Sequence, residues 1–112
     1  MLIFASLSGI QDFLFDVRET GGGQARALRY RSFCIQIIAE CVAERLLAAA
    51  SLSKDHLLFN AAAKVCIDAG ALDRNSQEAV RHTACDMARS LVHQTHGRLR
   101  LAWAIVPSAD GF

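Results

Sequence analysis

This sequence is most informative at first through what it lacks. Its four cysteines (Cys34, Cys41, Cys66, Cys85) each stand alone in an apolar stretch, with no CxxC pair among them. That excludes a legible disulfide framework or zinc knuckle, and buried thiols in a reducing compartment are expected instead. Twelve Lys and Arg offset eleven Asp and Glu, for a net charge of +1. No global field therefore marks a general nucleic-acid or anionic-membrane binder, so any anion site must be local. No apolar run approaches the length of a membrane span, and "MLIFASLSGI" has no basic region ahead of an apolar stretch as a signal peptide would. A cytoplasmic protein without a membrane partner is expected. Ser32, His56 and Asp68 form no readable triad, and His93, His96 and Cys85 lack the partners that would complete a metal site.

What is present is periodicity. "LIFASL" (2–7) is a short apolar run ended by Ser8-Gly9 and reads as a buried strand. From about Ala25 to Ala50, Leu28, Ile35, Ile38, Val42 and Leu46 recur on one helical face. Residues 56–70 read as two strands around a tight turn near Asn60 to Ala63, with Leu57, Phe59, Val65 and Ile67 alternating toward one side. A second helix is predicted to open at Asn75, with Glu78 completing a capping box, to bury Val80, Ala84, Met87 and Leu91, and to close at Gly97. "LRLAWAIVP" (99–107) is a last strand, alternating through Leu101, Trp103 and Ile105 and stopped by Pro107.

The order β-α-β-β-α-β predicts an α+β, ferredoxin-like domain spanning residues 1–112. A four-stranded antiparallel sheet would carry two helices on one face, in strand order 4-1-3-2. The other face would hold Phe4, Ser6, Cys66, Asp68, Ala102 and Ala104, mostly small groups.

Composition would not predict "SGIQDFLFDVRETGGGQARALRYRSF" (8–33). A Ser-Gly turn leads to aromatics, three glycines and an arginine cluster at the start of the first helix. Backbone N–H groups in the turn suit a phosphate, and anions are favoured at a helix start, where Arg26 and Arg29 share one side. The competing reading is a solvated cluster paired with Asp12, Asp16 and Glu19.

This stretch resembles the start of a palm domain in the Cas-ten family, the large subunit of type III CRISPR effector complexes. The resemblance rests on Ser8, Gly9, Ile10, Gln11, Phe13, the glycines 21 to 23, and Leu28, Arg29, Arg31, Ser32 and Phe33. "LLFNAAAKVCID" resembles that family's following hairpin. The resemblance implies a palm related to polymerases and nucleotide cyclases, one of two that bind ATP between them to make cyclic oligoadenylates for antiviral defence. It further implies nucleotide contacts by Ser8, Gly9, Ile10, Gln11, Arg26, Arg29, Arg31 and Ser32. ATP with Mg²⁺ would be the cofactor of the full-length protein.

The family's metal-binding Gly-Gly-Asp-Asp hairpin belongs to the second palm, and no GGDD occurs in this sequence. Two-metal phosphoryl transfer needs clustered carboxylates. Here Ser6 stands at the first-strand metal position, and the turn "NAAAKV" has neither acid nor the family's usual glycines. No catalytic or metal-ligating residue is assigned, and the chain alone is expected to be catalytically silent. It would be a fragment of a larger subunit, partnered by the second palm, by the subunits of the CRISPR RNA–protein complex and, in isolation, weakly by itself. The alternatives are a ferredoxin-like dimerisation or RNA-binding module and a degenerate GGDEF-like sensor. "KVCID" lacks the aromatics of RNA-binding sheets.

Overall fold

A computed structural model describes residues 1–10 and 24–107, with residues 24–28 described by backbone alone. The described elements are β1 (Leu2–Ser8), α1 (Gln24–Ala49), β2 (Leu57–Ala61), β3 (Lys64–Asp68), α2 (Arg74–Gln94) and β4 (Arg100–Val106), with a single 3-10 turn at Lys54–His56 before β2. The sheet order is β2-β3-β1-β4 and every neighbouring pair is antiparallel. This is the α+β, ferredoxin-like arrangement the alternation predicts.

The core lies between the sheet and the two helices. Ile3, Ala5 and Leu7 of β1, Val65 and Ile67 of β3, and Leu101 of β4 meet Ile35, Ala39, Val42 and Leu46 of α1. The predicted α2 stripe of Val80, Ala84, Met87 and Leu91 is buried as a unit. Burying each large aliphatic side chain contributes about 1.5–3 kcal/mol. Such a stripe therefore outweighs the weak helix propensity of the Thr, Cys and Val residues in α2. Trp103 and Ile105 lie only partly buried against this core rather than inside it, because β4 is an edge strand.

Four local expectations need correction. A bulge between Leu57 and Phe59 shifts the β2 register, so Phe59 stands opposite Cys66 on the open face instead of pointing into the core. An extra residue reverses the two-residue alternation beyond it. The cap of α2 is Asp73, whose carboxylate accepts from the Ser76 backbone N–H at 2.6 Å, two residues ahead of the predicted Asn75. At the other end, His96 takes the left-handed position (φ 54°), and Gly97 follows it with its N–H donated to the Val92 carbonyl at 2.8 Å. That is the long bond of a Schellman ending, with a histidine where glycine is usual. Finally, of the four thiols only Cys66 is buried; Cys34 is half-buried, and Cys41 and Cys85 are exposed.

Candidate nucleotide site

The N-terminal half of α1 and the β2–β3 turn approach each other at the end of β1. Ala62 and Ala63 both adopt left-handed backbone (φ 54° and 61°) to make the two-residue turn. Such turns normally recruit Asn or Gly, because a β-carbon is crowded there. The Leu7 N–H donates to the Ala63 carbonyl at 3.0 Å, holding the turn against the end of β1. Between these parts lies a cleft of about 620 Å³, bounded by Ile10, Ser32, Gln36, Glu40, Asn60 and the backbone of Ala61–Ala63.

The predicted residues divide around this cleft. Ile10 and Ser32 line it, from the chain just after β1 and from α1 respectively. Ser8 and Gly9 are exposed at the end of β1 and are not part of the lining. Gly9 has φ +80°, and a β-carbon there would overlap the carbonyl oxygen of Arg98. The fold itself therefore demands this glycine, whatever the turn binds. Arg29 is exposed on α1, three residues before Ser32 and so on the same side of the helix. Arg31 is half-buried and, two residues on, lies about 200° round the helix from Arg29. The structure thus separates two arginines that the sequence groups together. Arg26 belongs to the first turn of α1, where only the backbone is described. Gln11, Phe13 and the glycines 21 to 23 lie outside the described residues.

Sequence reasoning missed Gln36 and Asn60. The signal for Gln36 was its i+4 spacing from Ser32, continued by Glu40, which makes a polar column beside the apolar stripe. Asn60 carried no such signal, since only the hairpin's position against α1 brings it to the cleft. The arrangement offers a hydroxyl, two amides and turn backbone, a set suited to hydrogen-bonding a ribose or base edge. Its charged lining group is Glu40. Among the described residues no group of three His, Cys, Asp or Glu comes together that could hold a metal ion. The described lining thus offers hydrogen-bonding groups but no carboxylate cluster of the kind Mg²⁺ requires.

The family model for Csm1 subunit domain B matches residues 1–110. The single-strand-specific deoxyribonuclease Cas10/Csm1 of Mycobacterium tuberculosis is 35% identical over 60 residues, covering 54% of this chain and 7% of that protein. Csm1 of T. onnurineus superposes with a TM-score of 0.79 at 26% identity, over 92% of this chain and 14% of that one. Csm1 in a Csm1–Csm4 cassette in complex with AMPPNP gives 0.80 at 25% identity, over 94% and 14%. The chain thus spans only a small part of these relatives' length. With the fold and a family match over residues 1–110 in agreement, the chain belongs to the Csm1 subunit domain B family, a Cas10/Csm1 palm domain of type III CRISPR effectors.

Proposed function

We propose that this chain is a nucleotide-contacting palm of a type III effector large subunit, working beside a second palm that supplies metal ligands and chemistry. The observation that carries this reading is the cleft in which Ser32 and Gln36 face Asn60 and the Ala61–Ala63 turn. Ser32, Gln36 and Asn60 would hold the ribose and base edge. Arg29, one turn ahead on the same side of α1, would offer its planar guanidinium to the phosphates. The start of α1 favours their negative charge. Related Csm1–Csm4 cassettes are known in complex with AMPPNP, pppApApA and cA4, all adenine nucleotides, which supports the ligand class. ATP would bring Mg²⁺ whose ligands come from the second palm, because among the described residues Glu40 is the one carboxylate in this lining. Csm4 and the other subunits of the complex are the assembly partners this reading assigns, with cyclic oligoadenylate synthesis the activity supported.

Calorimetric ATP titrations of the complete two-palm subunit at physiological salt test the reading. Ser32→Ala and Arg29→Ala should each weaken binding about ten- to a hundredfold, the effect of a charge-assisted or partly desolvated contact. Arg74→Ala, exposed at the start of α2 and so toward the end of the sheet opposite the β2–β3 turn, should leave it unchanged, because salt screens a distant charge within about 8 Å. Equal affinities for the Arg29 and Arg74 variants would refute the nucleotide role. Oligoadenylate made by this chain alone would refute its dependence on a second palm.

A further inference from the structure

The sheet face turned away from the helices carries a second feature, separated from the cleft by the sheet itself. Phe4, Ser6, Phe59, Lys64, Ala102 and Ala104, together with Trp103, line a shallow groove of about 310 Å³. We propose that this groove is a stacking platform for the bases of a single-stranded nucleic acid.

Pairing register makes the case. Ala104, Phe4, Cys66 and Phe59 stand in one row across all four strands. The bulge in β2 brings Phe59 into that row, and its side chain is 46% exposed. Phe4 and Phe59 are separated by one strand, about 10 Å at ordinary strand spacing. Each ring thus has room for one base, with the buried Cys66 as a low floor between them. The neighbouring row is Ala102, Ser6 and Lys64, and Arg100 follows on the same face opposite Ser8. Lys64 and Arg100 are exposed, and neither pairs with a carboxylate among the described residues. Asp68 lies at the opposite end, in the row of Leu2.

The face is therefore apolar and aromatic in the middle, with cations along one end and its acid at the other. A strand with bases over Phe4 and Phe59 and phosphates along Lys64 and Arg100 satisfies both features. Stacking on aromatic rings holds any base, and the cations hold the backbone. An apolar protein face would leave the two cations without a counter-charge. Sequence reading counted against such a platform because β3 has no aromatic. The bulge in β2 supplies the second ring from the edge strand instead.

Fluorescence anisotropy of labelled oligouridylate and oligothymidylate, titrated with the 112-residue chain, tests this. Saturable binding of either oligonucleotide is expected, with the two arms showing whether ribose matters. Phe59→Ala should lower affinity about ten- to a hundredfold, with Phe59→Tyr restoring it. Lys64→Ala should reduce the slope of log affinity against log salt by about one. Arg81→Ala, on the exposed side of α2, should change neither, and thermal melts confirm that each variant folds. The proposal is overturned by no binding of either oligonucleotide, or by affinity that Phe59→Ala leaves intact. Sedimentation showing a dimer that Phe59→Ala dissolves, without oligonucleotide binding, would equally overturn it and assign the face to a second copy of the chain.

Discussion

Replacing Gly9 by alanine separates what the fold requires of the Ser8-Gly9 turn from what a ligand requires. Two terms oppose the substitution. The backbone at Gly9 is left-handed (φ +80°), which costs an L-residue about 1–2 kcal/mol. The new methyl group would also overlap the Arg98 carbonyl oxygen, with the Leu99 Cα close behind. Forcing that backbone aside costs about 1–3 kcal/mol on the scale of overpacked cores. The neighbourhood has little give: Leu99 is fully buried, and its N–H is held by the Thr95 hydroxyl at 3.0 Å. The total, about 2–5 kcal/mol, is a large share of the ~5–15 kcal/mol that stabilises a domain. Gly97 supplies the internal control. Its φ is also +80°, but nothing lies within 4 Å of an added β-carbon. Gly97→Ala therefore carries the backbone term alone, and both variants gain equally from a less flexible unfolded chain. Urea unfolding followed by Trp103 fluorescence should show Gly9→Ala less stable than Gly97→Ala by about 1–3 kcal/mol. If the two agree within about 0.5 kcal/mol, a margin that additive errors easily fill, the Arg98 contact has no energetic weight. The glycine would then be required by its left-handed backbone alone.

Three further outcomes are expected. Ala63→Gly should stabilise the domain by about 1 kcal/mol in urea unfolding, because it removes a crowded left-handed alanine from the hairpin turn; a destabilised variant would show that the turn is not of this type. The backbone N–H and then the hydroxyl of Ser76 hold the Asp73 carboxyl below the usual carboxylate range. A depressed folded-state value contributes stability above the unfolded value, and this is lost as pH falls through the folded one. Asp73→Ala should therefore lower the melting temperature at pH 7, with the gap to the parent chain closing below about pH 4; a gap independent of pH would contradict the cap. Burial, and secondarily the Asp68 charge, push the Cys66 thiol up. Iodoacetamide at pH 8 should therefore label Cys41 and Cys85 first and Cys66 only on unfolding, as read by peptide mass; early labelling of Cys66 would contradict its burial.

Sequence alone determined the element order, the α2 stripe and the sheet topology, because each follows from a repeat that burial enforces; of the α1 stripe, Ile35, Val42 and Leu46 are buried, Ile38 only partly, and the side chain of Leu28 lies outside the described residues. Val80, Ala84, Met87 and Leu91 return every three or four residues, and no other arrangement buries them together. It also pointed to residues 8–33, since glycines and arginines there break the apolar pattern. What it could not decide were features set by one residue of register or by distant neighbours. The β2 bulge moves Phe59 to the opposite face, and nothing local in "HLLFNAAA" announces an extra residue. Asp73 caps α2 in place of Asn75 because both are good caps, and the backbone's approach chooses between them. The need for Gly9 comes from Arg98, 89 residues away in the chain. The cleft brings Ser32 to Asn60 only because the hairpin turn is bonded to the end of β1. Periodicity is a local property of the chain, and burial makes it legible. Register and the meeting of distant surfaces are properties of the packed whole, and only the tertiary structure settles them.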